Sequence, residues 1–235
     1  MAQTETFEKT SVPQQAAQLS EPFTMVDLAK IDDLVLSIFL CQGTLPYHRH
    51  LDQDELFLVH SGTISLESGW NSIILRPGEL AVVPKGLAHR SSSLLHSLVL
   101  LLQPRLMVNR RNGDRRSLAL KDGGHLEKVS VPSVGHQIAI PFRPVVLAHL
   151  DAFALRLTRC EGTGPWWRIE RQSNLIFCYD GQLALESELG SAHMESGELV
   201  VVPKGVSHRL SSVDGALVIG VQRHKQPGLP LPERP

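Results

Sequence analysis

The 235-residue chain carries one pattern twice. "EKTSVP" at Glu8 returns as "EKVSVP" at Glu127, and "FTMVDLAKIDDLVLSIFLCQGT" at Phe23 returns as "FRPVVLAHLDAFALRLTRCEGT" at Phe142. "PGELAVVPKGLAHRSSS" at Pro77 returns as "SGELVVVPKGVSHRLSS" at Ser196. One constant offset aligns Phe7 to Gln103 with its copy without an insertion, and about two positions in five are identical. Such a duplication predicts two domains of one fold, joined by a spacer.

Inside each copy the pattern is that of strands. "LVLSIFL", "ELFLV", "TISLES", "SIIL", "ELAVVP" and "SLVLLL" are short β-rich runs broken by Gly, Pro, Asn and Ser, and helix signals are sparse. Many short strands at close spacing predict an all-β sandwich or barrel, here duplicated. The expected layout is an N-terminal arm over 1–22, a first barrel over 23–112 and a linker with the arm of the second unit over 113–140. A second barrel over 141–224 and a Pro-rich tail over 225–235 complete it. The basic, turn-rich spacer "RRNGDRRSLALKDGG" reads as a solvated loop. Over the whole chain, 42% hydrophobic residues suffice to give such domains a core.

A formal net charge of −1 provides no basic field for nucleic acid or an anionic membrane, and neither is an expected partner. No apolar run is long enough to span a membrane, and "MAQTETFEKTSVPQQAAQ" lacks the apolar centre of a secretory signal, so the expected location is cytoplasmic. Cys41, Cys160 and Cys178 form no CxxC pair and are expected to be buried, reduced and inert.

The chemistry is concentrated in the first copy. In a strand, residues two apart share a side, so His48 and His50 project together. Glu55 opens "ELFLV" after a short loop, and His89 follows the turn "VVPKGLA", which returns a distant strand to the same cavity. Three imidazoles and a carboxylate suit a divalent first-row metal, although an HxH pair by itself also fits surface or core histidines. Four protein ligands on an octahedral ion leave two positions for water, oxygen or a chelating substrate.

In these two motifs the chain resembles the cupin superfamily. Glycine, HxH, Glu and glycine match Gly43, His48, His50, Glu55 and Gly62; glycine, PxG and His match Gly78, Pro84, Gly86 and His89. The resemblance implies two tandem double-stranded β-helix (jelly-roll) barrels, a bicupin, with metal ligands His48, His50, Glu55 and His89. The wording of the motifs is similar to small cupins labelled mannose-6-phosphate isomerase-like, a label that carries no activity with it. It also allows association into a homodimer.

The second copy keeps Gly162, Gly181, Gly197, Pro203, Gly205 and His208, but has Trp167, Ile169 and Asn174 at the other ligand positions. It is expected to be a metal-free scaffold or interface, with Trp166 and Trp167 filling its cavity and Asn174 hydrogen-bonding His208; the alternative is an apolar ligand pocket. Residues common to both copies, among them Arg90 with Arg209 and Glu79 with Glu198, are expected to serve the barrel rather than the reaction. Of residues unique to the first copy, Phe57 and Ser91 are candidate pocket contacts; His60 is expected outside the pocket, and Tyr47 and His96 have no assigned role.

No Ser-His-Asp arrangement, paired carboxylates or phosphate loop accompanies these motifs, so the ion must supply the chemistry. The expected function is that of a non-haem Fe(II) dioxygenase acting on a small enol- or diol-type molecule, with Mn, Ni or Zn as other ions. The alternatives are a redox-neutral isomerase, lyase or cyclase of sugar or keto-acid type, or a non-catalytic small-molecule binder.

Overall fold

A computed structural model describes residues 7–104, 124–223 and the backbone of 229–230. The basic spacer and the remainder of the Pro-rich tail lie outside the described residues. Strands dominate, and the helices Val12–Ala16 and Val131–Gln137 are short. None of the described helices is long and apolar enough to cross a membrane.

The chain divides into two compact units, residues 14–131 and residues 132–235 together with 1–13. In the leading unit the strand His89–Pro104 is the organiser. Leu34–Thr44 pairs with it on one side from Ser92 to Pro104, and Glu55–Ser61 pairs with the other side of its C-terminal part. Its N-terminal part pairs with Ile64–Ser68, in the register Ser65↔Ser92 to Ser68↔His89. A long strand can serve two faces only if its partners bend, and the register shifts between Cys41 and Gly43 and between Val59 and Ser61 provide those bends. The side chains enclosed in this way, among them Phe39, Phe57, Val59, Leu66 and Leu101, form the core.

The trailing unit repeats the plan. His208–Arg223 pairs with Phe153–Thr163 and Asn174–Ser187, with shifts between Cys160 and Gly162 and between Cys178 and Asp180. Backbone singularities are repeated too. Phe23 and Asp32 adopt positive φ of 62° and 53°, and their copies Phe142 and Asp151 adopt 57° and 48°. At Gly62 (φ 79°) a Cβ would meet the Ser97 backbone at 2.8 Å, and at Gly181 (φ 89°) it would meet that of Ala216 at 2.9 Å. Glycine is required at both, by conformation and by space.

The arms change the expected boundaries. Lys128–Ser130, from the start of the second repeat, pairs with Glu79–Val83 and joins the leading sheet, and Leu126 is buried in the leading core. Lys128 Nζ lies 2.9 Å from Glu79 Oε1, and Val131 N–H donates to Gly78 O at 2.9 Å. In the other unit Thr10–Ser11 pairs with Glu198–Val202, Lys9 Nζ lies 3.0 Å from Glu198 Oε2, and Val12 N–H donates to Gly197 O at 2.9 Å. Each unit is therefore completed by the arm that the repeat assigns to the other. The backbone of Leu229–Pro230 pairs with Trp167–Arg168, so this part of the tail is extended against the trailing barrel. All three cysteines are free and buried; burial pushes the Cys160 and Cys178 thiols up to about 12 and, despite the Ser91 hydrogen bond, Cys41 up to about 11.

Candidate metal centre

Local geometry converges the four expected residues. His48 and His89 face each other across an antiparallel bridge, with His48 N–H donating to His89 O at 3.0 Å and His89 N–H to His48 O at 2.9 Å. The turn that ends in His89 is pinned by Gly86 N–H donating to His50 O at 2.6 Å. Glu55 begins its strand opposite Val83, which directs its carboxylate to the same side. One ligand atom from each of His48, His50, Glu55 and His89 lies within 4.8 Å of the others.

Hydrogen bonds fix which atoms face inward. His48 Nδ1 lies 3.0 Å from Pro46 O, and His89 Nδ1 lies 3.0 Å from Leu87 O. A carbonyl only accepts, so each Nδ1 carries the proton and each Nε2 presents a lone pair in the neutral ring. Holding the ring by its far nitrogen is also how a metal-ligating imidazole is oriented. Burial lowers the pKa of His48, partly offset by the Pro46 carbonyl, and so keeps the ring in its ligating form.

Glu55 Oε2 lies 3.2 Å from both His50 Nε2 and His89 Nε2. Burial works to raise the Glu55 carboxyl, but the two imidazoles outweigh it and hold it at about 2. With His89 neutral, however, a lone pair and a carboxylate oxygen confront each other, and both Glu55 Oε2 and His89 Nε2 are buried without a hydrogen-bond partner. A proton or a cation between them relieves this contact. The spacing fits a cation, because two ligands at right angles on an ion bound at about 2.2 Å lie about 3.1 Å apart.

His48, His50 and Glu55 stand at the polar end of a cavity of about 290 Å³ whose walls include Phe23, Phe39, Phe57 and Leu101. Phe57 meets the His89 ring edge-on, with centroids 6.0 Å apart, and Ser91 is buried in the lining. His60 is outside this lining, His96 is exposed, and Tyr47 stacks under the Arg90 guanidinium at 4.7 Å. Arg209 stacks on Trp166 at 5.0 Å in the same way, and Arg90–Glu67 and Arg209–Glu186 are ion pairs of 2.7 Å in both units. The two arginines thus serve the barrel.

In the trailing barrel the frame persists without the ligands. Trp167 pairs with His208, and Gly205 N–H donates to Ile169 O at 2.7 Å. His208 Nδ1 donates to Val206 O at 3.1 Å, and its Nε2 accepts from Asn174 Nδ2 at 3.2 Å, the hydrogen bond that the sequence suggests. Asn174 stands where the leading repeat has Glu55, so an amide N–H meets the imidazole where that repeat has a carboxylate oxygen.

One expectation fails. The trailing cavity is not plugged: it measures about 280 Å³, nearly the volume of the leading one. Trp167 and Ile169 do enlarge its lining near His208, but Thr158, Ile176 and Gly220 stand where the leading repeat has Phe39, Phe57 and Leu101. Volume gained by one set of positions is given up by the other.

Residues 37–94 match the family model described as the cupin domain. Protein YdbB of Bacillus subtilis (strain 168), itself uncharacterized, is 24% identical over 89 residues, which cover 37% of this chain and 79% of that protein. A cupin 2 conserved barrel domain protein from Leptotrichia buccalis is similar with a TM-score of 0.69 at 8% identity, over 92% of this chain and 96% of that one. The salicylate 1,2-dioxygenase of Pseudaminobacter salicylatoxidans is similar with a TM-score of 0.67 at 10% identity, over 94% of this chain and 85% of that one. At such identities the structural likeness speaks for the fold.

Proposed function

We propose that this protein, a chain of two cupin-fold barrels with a cupin domain in the leading one, is a metal-dependent dioxygenase acting on a small enol- or diol-type molecule. The observation that carries the reading is the buried confrontation of Glu55 Oε2 with His89 Nε2, inside a cluster of four ligand atoms at the end of an apolar cavity. His48, His50, Glu55 and His89 are the residues that would hold the ion, with Fe(II) favoured over Mn, Ni or Zn. Bound there, a divalent iron would supply the one-electron chemistry that dioxygen needs to react with a closed-shell organic molecule, both oxygen atoms entering the product.

The chain's own part is to bind and orient. A set of three imidazoles and one carboxylate, carrying one negative charge, would leave a divalent cation held there with residual positive charge for an anionic substrate oxygen. Phe23, Phe39 and Phe57 take the apolar part of that molecule and exclude water, and Phe39 and Phe57 brace each other edge-to-face with centroids 6.4 Å apart. Ser91 can hydrogen-bond a second polar group.

A further observation favours oxygen chemistry over isomerisation. Among the described residues lining the leading cavity, those outside the ligand set do not titrate: Phe23, Met25, Phe39, Leu45, Pro46, Phe57, Ser91 and Leu101. An isomerase or lyase needs a positioned acid or base. The dioxygenase of known structure with the same fold agrees with this reading at the level of fold. The test is oxygen uptake by Fe(II)-loaded protein across a panel of enols and catechols, with one O₂ consumed per product formed. Equal turnover under strict anaerobiosis, or with Zn(II) in place of Fe(II), would overturn the dioxygenase reading in favour of a redox-neutral one.

A further inference from the structure

The trailing barrel holds a cavity as large as the leading one, without metal ligands, and its polar groups are of another kind. Arg156 lines it from the interior of Phe153–Thr163, where the leading repeat has Ser37. Arg156 Nε is buried without a hydrogen-bond partner, and its guanidinium forms no ion pair among the described residues. Its cross-strand neighbour is Gly220, which leaves room where the leading repeat has Leu101. Asn174 donates to His208 through Nδ2, while its Oδ1 is buried and lacks a donor.

The surrounding glutamines reinforce the contrast. In the leading barrel Gln53 Nε2 donates to Gln103 Oε1 at 3.1 Å, so the pair is closed on itself. In the trailing barrel Gln172 bonds instead to the backbone of Val221 and Arg223, and Gln222 lines the cavity. Around these polar groups the wall is apolar, with Phe142, Pro144, Trp167, Ile176 and Val218. A cation without a counter-ion, an acceptor without a donor and an apolar wall specify the complement by charge and hydrogen bonding.

We propose that the trailing barrel is a second ligand site, for a small organic carboxylate with an apolar body. Its carboxylate pairs with Arg156, and an O–H or N–H of the same molecule donates to Asn174 Oδ1. The site requires no metal and does not depend on the reaction assigned to the leading barrel. At about 280 Å³ the cavity is near the lower end of small-molecule sites, so a single ring or a short alkyl chain is the size it takes.

The test uses the full-length chain with benzoate, 4-hydroxybenzoate and hexanoate, each compared with its primary amide. Binding is read by calorimetry and by the fluorescence of Trp167 in the cavity wall, with Trp167→Phe to identify that signal. The carboxylates should bind saturably and the amides at least about ten-fold more weakly, with 4-hydroxybenzoate tighter than benzoate. Arg156→Gln should weaken carboxylate binding by about ten- to hundred-fold, and Arg156→Lys by less, both with unchanged circular dichroism. Glu55→Gln, which alters only the leading cavity, should leave the binding reported by Trp167 as it is. Absence of binding by all three acids, equal binding of acids and amides, unchanged affinity in Arg156→Gln, or loss of binding in Glu55→Gln would each overturn the proposal. None of these outcomes bears on oxygen uptake, so the two readings fail separately.

Discussion

Glu55 and His89 are stable neighbours only when something positive lies between them, and the trailing repeat displays a neutral substitute. There an amide stands in the register of Glu55 and donates to His208 Nε2 at 3.2 Å, satisfying the lone pair that its counterpart His89 leaves open. This pair of states predicts the behaviour of Glu55→Gln. The longer amide can donate to His89 Nε2, so the metal-free variant should melt no lower than the metal-free parent, although a buried ion-pairing group has been removed. Metal content, measured by elemental analysis after dialysis against Fe(II), should fall by about ten-fold or more, because losing a ligand costs at least what losing a ligand's support does. A variant that melted well below the parent, or kept its metal, would show that Glu55 acts through packing.

The elements display what a repeat conceals. Strand positions and glycine turns were legible because each is specified locally: alternation gives the strand, and positive φ gives the glycine. The exchange of arms was not. "EKTSVP" meets Glu198 and Gly197 and "EKVSVP" meets Glu79 and Gly78, the same residue types in both barrels, so either arm has the contacts to dock on either barrel. Nothing within ten residues can choose between them; the choice rests on the path of the whole chain. It has a measurable consequence. Leu126 comes from the second repeat but is 2% exposed in the core of the leading unit. Leu126→Ala should therefore destabilise the leading barrel by about 2–4 kcal/mol. Amide exchange should accelerate in Ile64–Ser68 and Glu79–Val83 and stay unchanged in Glu198–Val202. Acceleration in Glu198–Val202 instead would return the arm to its own repeat.

For the molecule as a whole, duplication has separated a frame from its contents. The clustering of His48, His50, Glu55 and His89 was legible because motif residues are few and adjacent to glycines that fix their turns. The volume of the trailing cavity was not, since it depends on Thr158, Ile176 and Gly220, which lie deep in strands and belong to no motif. What the frame itself demands is the same in both units: the cross-strand pair His48↔His89 corresponds to Trp167↔His208, Gly86 N–H to His50 O corresponds to Gly205 N–H to Ile169 O, and each terminal histidine is held through Nδ1 by a carbonyl two residues earlier. If the backbone is competent in both, side chains alone decide where an ion goes. The triple variant Trp167→His, Ile169→His, Asn174→Glu should then raise the metal bound from one ion per chain to two. The trailing cavity already has space near His208 for the change, because two of the three replacements remove bulk. Elemental analysis of the variant, with the leading site disabled by Glu55→Gln as a reference, should return one ion held by the trailing barrel alone. A ratio that stays at zero in that reference, from a chain whose circular dichroism is intact, would mean that the two backbones differ in some respect that hydrogen bonds and register do not capture.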